Sequence, residues 1–329
     1  MNNYTFPILK QLADGKFHSG EALATHFGVT RATIWNAIQH AQSLGIEVFS
    51  VRGRGYKLPQ PIDFLDEKQV LQAIGEQRAW FKLEILDEVP STNTHLMQQA
   101  AKGAAHVTCV AAHVQSKGRG RRGRTWVSAL GSSLTFSLLW RFQCSAAALS
   151  GLSLAVGVAL IRALTSLGVN NAQLKWPNDV LIGNKKLAGI LIDLHGDMDG
   201  PSAAVIGVGV NLHLPENVLK NIDQPATDLT SASMDAASSQ IDQNKLLGVI
   251  LKNMADVLSD FEQNGFLGVR DEWLRYHAYQ NKSVRMLLHD GRNVDGTVSG
   301  VADDGILLVE TALGLQRFSA GEISLRGLD

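Results

Sequence analysis

Apolar positions along this chain change their spacing twice. In the first sixty residues the spacing is helical: Ser19 can cap a helix running to Phe27, and Gly28 can close it in a left-handed turn. Thr30 can then cap a second helix that holds Ile34 and Ile38 four residues apart. VFSVRGRGYKL (48–58) adds two short strand-like runs around an Arg-Gly-Arg-Gly turn, a basic hairpin beside the second helix. A helix pair followed by a hairpin predicts a winged helix-turn-helix. LPQPIDFL (58–65), with two prolines, marks a linker. Beyond it, Leu149, Leu152, Val156, Leu160, Leu164 and Leu167 predict a buried helix, while VTCVAAHV, SLTFSLLW, LAGILID and AVIGVGV read as strands. From Ser283 the runs shorten to SVRMLL, VDGTVSGV, GILLVE and LQRFS, with Asp-Gly turns at 290–291 and 304–305, and predict a small β barrel or sandwich. The expected class is α+β, with a winged helix over 1–62, a mixed α/β domain over 63–270 and a β-rich domain over 271–329. TSASMDAASSQ (230–240) reads as a loop or helix surface of no special chemistry.

With 329 residues, 45% hydrophobic and 19% charged, the chain is globular and has room for two or three domains. MNNYTFPILK lacks a basic region followed by an apolar run, and the longest apolar stretch, Ala146 to Ile161, carries Ser150 and Ser153 and stops at Arg162. Neither secretion nor membrane anchoring is expected. Cys109 and Cys144 are far apart and outside any CxxC spacing, which argues against a disulfide framework or a zinc site and for a reducing cytoplasm. Net charge is -1, yet residues 1–60 hold six lysines and arginines against three carboxylates, a local +3 that leaves -4 for the rest. That imbalance favours DNA binding over a plain dimerisation or scaffolding module. Arg52 and Arg54 would reach phosphates or a minor groove, and Arg31, Thr33, Trp35 and Asn36 lie early on the second helix, where base edges are read. One such module binds weakly, so a dimer is expected.

SKGRGRRGRTW (116–126) sets five cations among three glycines. Its Gly118-x-Gly120-x-x-Gly123 spells a dinucleotide fingerprint, but strand-like residues follow and no acid lies about twenty positions on to hold a ribose. A disordered nucleic-acid tail is the other alternative, against which stands its place between two apolar strands. What remains is a loop that closes over an anion, glycines admitting backbone amides and arginines neutralising charge. LKWPNDVLIGNKKLAGILID (174–193) reads as two strand-like segments joined through Pro-Asn-Asp. That hairpin would bring Lys175, Asn178 and Asp179 to one sheet end and let Lys186 project from the returning strand.

STN (91–93), GRGRRGRTW (118–126), KWPND (175–179), KLAGIL (186–191), GVGVN (207–211) and GEISL (321–325) together resemble the biotin–protein ligases, and among them the bifunctional type that also represses the biotin operon. The resemblance runs along nearly the whole chain. It implies a central domain of class II aminoacyl-tRNA synthetase type and a C-terminal SH3-like barrel. It implies condensation of biotin with ATP to biotinyl-5'-adenylate, then transfer to a lysine of the biotin carboxyl carrier protein of acetyl-CoA carboxylase. It further implies an adenylate-promoted homodimer that binds operator DNA. On the same footing, Ser91, Thr92, Asn93, Gln115 and Gly118 would line the biotin side, and Arg119 and Arg121 would hold carboxylate and phosphate. Arg122, Trp126, Lys175, Asn178 and Asn211 would serve the nucleotide. Lys186, Arg121 and Asp179 would be catalytic, with Mg2+ carried by the phosphates, because attack on the α-phosphate concentrates negative charge. The second helix, TRATIWNAIQH, departs from the more polar and basic pattern of such repressors at Trp35, Asn36 and Ala37, which leaves the operator open. A ligase with a vestigial winged helix, a ligand sensor without catalysis, and a lipoate or other acyl ligase are the competing functions.

Overall fold

In a computed structural model, residues 3–127, 129–196, 200–232, 241–288, 292–319 and 323–327 are described. The Asp-Gly at 290–291, most of 230–240, and Gly321 and Glu322 of GEISL lie outside them.

The first sixty residues form α1 (Thr5–Gln11), α2 (Gly20–Phe27), α3 (Arg31–Ser43), β1 (Phe49–Val51) and β2 (Gly55–Lys57). The caps fall where the sequence puts them: Ser19 Oγ accepts from the Ala22 amide at 3.0 Å, Thr30 Oγ1 accepts from Thr33 at 3.2 Å, and Gly28 has φ 63°. α1 is an element the apolar pattern did not announce. Its Phe6, Ile8 and Leu9 fill the space between Leu23, Ile34 and Ile38. The 58–65 segment has no regular structure but is not a loose tether. Leu58 and Leu65 are buried, Ile62 and Phe64 pack on the first core, and the Asn244 side chain accepts from the Asp66 amide and donates to Phe64 O.

The middle of the chain supplies α4 (Glu67–Ile74), β3 (Lys82–Val89), α5 (Thr92–Ala101), β4 (Thr108–Gln115), β5 (Ser133–Phe142) and α6 (Leu152–Ser166). There follow β6 (Ala172–Lys175), β7 (Asp179–Ile182), β8 (Lys185–Gly196), β9 (Ser202–Asn211), α7 (Glu216–Leu219), α8 (Leu229–Ala232), α9 (Gln243–Asn264) and α10 (Arg270–Arg275). One seven-stranded sheet runs β3-β4-β5-β9-β8-β7-β6, parallel only between β3 and β4, whose crossover is α5. The 174–193 stretch holds three strands rather than two, because Gly183, at φ 59°, turns the chain once more before Lys185. α4, α6 and α9 cover one face, and α5 covers the other with Leu96 and Ala100 against Val110, Leu139 and Val205.

The C-terminal strands β10 (Ser283–Leu288), β11 (Asn293–Val301), β12 (Leu307–Thr311), β13 (Gly314–Phe318) and β14 (Ile323–Gly327) form an antiparallel sheet in the order β13-β12-β11-β10-β14. Its apolar face is continuous with the central core through Trp273, Ala278 and Tyr279. The seam is also hydrogen-bonded. Leu174 N donates to Tyr276 O at 2.7 Å and Ala278 N to Leu174 O at 2.8 Å, so residues 276–278 continue the sheet past β6, and Trp176 Nε1 donates to Gly305 O at 3.1 Å.

Candidate functional site

Strand alternation puts Ser137 of β5, Gly207 and Gly209 of β9, and Gly189 and Leu191 of β8 on the α5 face of the sheet. Three glycines side by side leave a trough in that face, and side chains from elsewhere fill it. A Cβ at Gly207 would fall 2.0 Å from Asn93 Oδ1, and one at Gly209 2.4 Å from the Trp126 ring. Ser91 caps α5, and Thr92 accepts and donates beside it: Gln115 Oε1 accepts from the Thr92 amide at 2.7 Å and lies 3.2 Å from its hydroxyl. Asn93 Nδ2 donates to Leu191 O and to Asp193 Oδ2, while its Oδ1 accepts from Ser137 Oγ at 2.6 Å. Space left among Ser91, Thr92, Gln115, Arg119 and Trp126 is about 30 Å³, one water's share of liquid volume.

The 116–126 stretch is a small hairpin. Trp126 N donates to Gly118 O at 3.0 Å, Arg119 pairs with Thr125, and Gly120 N donates to Arg124 O at 2.7 Å. Gly118 is required by the close approach of Trp126 O, 2.4 Å from where a Cβ would stand, and Arg122 takes a left-handed φ of 57° at the tip. The hairpin fixes where its cations go. Arg119 Nη1 meets Asp193 Oδ2 at 3.0 Å, and Arg121 Nη1 donates to Asn178 Oδ1 at 3.0 Å. Burial, with Arg122 close by, lowers the Arg121 pKa from its ordinary value.

Opposite the hairpin, Lys186 Nζ lies 2.7 Å from Asp179 Oδ1 and 5.7 Å from the Trp126 ring centre, both partners largely shielded from water. Asn178 is held by its Nδ2 donating to Ile190 O at 2.9 Å. Asn211 Nδ2 donates to the carbonyls of Lys186 and Thr227, so that amide also ties the 225–227 segment to β8. A cavity of about 250 Å³ opens between Trp126, Lys186, Asn211 and residues 221–226. Lys175 stands apart from this cavity, its Nζ 5.9 Å from the Tyr279 ring centre, and burial pushes its ammonium down to about 8.

Ser91, Thr92, Asn93, Gln115, Gly118, Arg119, Arg121, Trp126, Asn178, Asp179, Lys186 and Asn211 thus converge at one end of the trough. Sequence reasoning missed three members of the same array: Ser137, Asp193 and Trp176, whose buried ring anchors the 175–179 turn to the C-terminal sheet. Only Asp193 had a visible signal, a lone acid ending an apolar strand. The expected DNA-contacting residues sit together elsewhere: Arg31, Trp35 and Asn36 are exposed on α3, Arg52 and Arg54 are exposed at the β1–β2 turn, and Thr33 shares its hydroxyl with the Thr30 cap.

Residues 86–211 match the Biotin/lipoate A/B protein ligase family, residues 5–57 an HTH domain, and residues 280–326 the Biotin protein ligase C terminal domain. The chain is 32% identical over 328 residues to the bifunctional ligase/repressor BirA of Escherichia coli K12, covering 100% of this chain and 99% of that one. Identity to the bifunctional ligase/repressor BirA of Bacillus subtilis 168 is 28% over 313 residues, 95% of each chain. Among solved structures, the biotin protein ligase from Aquifex aeolicus in complex with biotin and ATP superposes with a TM-score of 0.63 at 28% identity, covering 75% of this chain and 99% of that one.

Proposed function

The chain belongs to the biotin/lipoate A/B protein ligase family, among its bifunctional ligase/repressors, and from that premise we propose how its residues divide the work. It is a biotin–[acetyl-CoA-carboxylase] ligase and a DNA-binding repressor. In the ligase, the biotin carboxylate attacks the α-phosphate of ATP, the bond to pyrophosphate breaks, and biotinyl-5'-adenylate forms. A lysine amine of the biotin carboxyl carrier protein then attacks the acyl carbon and releases AMP. The observation that carries this reading is the meeting of the Lys186–Asp179 pair, Arg121 on Asn178, and Arg119 on Asp193 around one indole ring, beside the Thr92–Gln115 pair.

Charge develops on the α-phosphate during the first step. Lys186, aimed by Asp179, and Arg121, aimed by Asn178, are cations already fixed in position and partly removed from water, where their field is least screened. The Ser91–Gln115 array offers hydrogen bonds to a ureido ring, and Trp126 must leave Gly209 and Gly189 before a bicyclic acid fits the trough. Over a bound adenylate the same indole excludes water from a labile mixed anhydride. A Mg2+ ion carried by ATP would neutralise phosphate charge, and Asp179 is the carboxylate that would hold it. Adenylate-promoted homodimerisation, operator binding through α3 and the wing, and residence in the cytoplasm complete the proposal. No helix among the described residues is long and apolar enough to cross a membrane.

ATP–pyrophosphate exchange measured with biotin, lipoate, octanoate and no acid tests the substrate. Exchange that depends on biotin alone is the expected result; equal exchange with lipoate or octanoate overturns it.

A further inference from the structure

Phe17 lies outside every motif considered so far, in the turn between α1 and α2, and the structure gives it an unusual neighbourhood. The 17–19 segment meets the wing through one β-bridge: His18 N donates to Tyr56 O and Tyr56 N to His18 O, both at 2.9 Å. Gly55 makes that pairing possible, because a Cβ there would fall 2.0 Å from His18 O. The turn leading in is pinned by Asp14, whose Oδ1 accepts from the Lys16 amide at 2.9 Å and lies 3.0 Å from His18 Nε2. So presented, the half-buried Phe17 ring carries two wing cations: Arg54 Cζ stands 4.2 Å from its centre and Lys57 Nζ 5.8 Å. Arg52, in the same turn, has no ring or carboxylate against it among the described residues.

We propose that Phe17 is the positioning residue of the wing, holding the Arg54 guanidinium ready for a DNA phosphate; this rests on the DNA-binding reading above. A guanidinium over an aromatic ring uses its face, and the in-plane N–H groups stay free to donate to phosphate oxygens. A carboxylate in the ring's place would consume those donors and cancel the charge. A long arginine at an exposed turn also loses rotamer freedom when it binds, and a ring that confines it beforehand reduces that loss. Lys57, over the same ring, adds a second charge on the same side of the wing.

The test uses the full chain and a fluorescent mixed-sequence duplex of about 30 base pairs, because phosphate contacts need no operator. Anisotropy titrations between about 50 and 200 mM salt give affinity and the slope of log K against log salt. Arg54→Ala should lower the magnitude of that slope by about 0.9, one phosphate contact. Phe17→Leu should weaken binding about three- to fivefold with Arg54 still present, and reduce the slope with it. In the Arg54→Ala background, Phe17→Leu should change affinity less than about twofold, since the cation it held is gone. Phe17→Tyr, which keeps the ring, should bind as wild type, and biotin-dependent exchange should be unchanged throughout. Wild-type affinity and slope in Phe17→Leu, or a loss that persists in full beside Arg54→Ala, overturns the positioning role while leaving DNA binding intact. A wild-type protein that shows no salt-dependent binding overturns the DNA-binding reading itself, and this inference with it.

Discussion

Gly207→Ala is a one-methyl change whose cost can be worked from the trough. The added Cβ would stand 2.0 Å from Asn93 Oδ1, and ordinary contact begins at 3.4 Å, so the carboxamide must retreat by roughly 1.4 Å. It has little room to do so. Asn93 is 3% exposed, donates at 3.2 Å to Leu191 O and at 3.0 Å to Asp193 Oδ2, and accepts at 2.6 Å from Ser137 Oγ. Overpacking of this kind costs about 1–3 kcal/mol, and each neutral hydrogen bond given up adds about 1 kcal/mol. A loss of ~2–4 kcal/mol in stability is therefore expected. Because Ser137 Oγ also lies 2.8 Å from Thr92 Oγ1, the disturbance reaches the Thr92–Gln115 pair, and biotin affinity should fall at least about tenfold, or 1.4 kcal/mol. Urea unfolding reads the first number and calorimetric titration with biotin the second. An unfolding midpoint and a biotin affinity both equal to wild type would refute the idea that Asn93 is locked against Gly207.

Four further outcomes are expected. Lys186→Met should slow biotin-dependent exchange by about 100-fold, the scale of one electrostatic stabiliser; a rate within a few-fold of wild type removes Lys186 from the catalytic set. Arg121→Gly removes a charged contact worth about 1.5–3 kcal/mol, so adenylate should escape about tenfold to a hundredfold faster and label lysines on unrelated proteins; mass spectrometry showing carrier-only labelling, with an unchanged off-rate, contradicts this. Burial pushes His113 and His277 down to about 4 from an ordinary 6.5, so the unfolded chain binds more protons below about 6.5. Stability should be whole above that pH and decline towards pH 4, by up to ~3 kcal/mol per histidine. His113→Phe should shrink the drop in melting temperature between neutral and acid pH, and an unaltered drop argues against it. Deleting residues 1–60 should abolish DNA binding and keep exchange, yet melt earlier, because Phe6 covers His113 and the first core covers Val114; a melting point equal to the full chain's counts against that packing.

Local rules carried the winged helix. Ser19, Gly28 and Thr30 act within four residues of themselves, so their roles could be read without a neighbour. α9 was equally legible and went unread: Asp242 caps it, and Leu247, Ile250, Leu251, Met254, Leu258 and Phe261 keep helical spacing. The parallel β3–β4 pair left no signal, since such pairing depends on the α5 crossover rather than on either strand. Glycine positions in GVGVN were visible but their reason was not. Gly209 answers to Trp126 and Gly207 to Asn93, each far off in sequence. The glycine-arginine stretch, read as a loop that closes over an anion, has hairpin hydrogen bonds because Gly118 permits an approach that no side-chain-bearing residue would. Phe17 escaped notice for the same reason, its partners lying across a turn and a strand.

The seam between β6 and residues 276–278 dictates an order of birth. A ribosome releases the chain from its N-terminus, and domains fold as their last contributing residues emerge. Among the described residues, the helix-turn-helix core draws on nothing later than Leu130. The catalytic sheet, by contrast, has Leu174 tied to Tyr276 and Ala278, and Trp176 tied to Gly305, with Val284, Met286 and Val309 sharing its core. The nascent polypeptide can therefore hold a formed nucleic-acid module while its ligase half still lacks an edge and part of its interior. A message truncated after Leu130 but before the final strands would yield a product with a DNA-binding fold and no enzyme, whose exposed apolar sheet marks it for proteolysis.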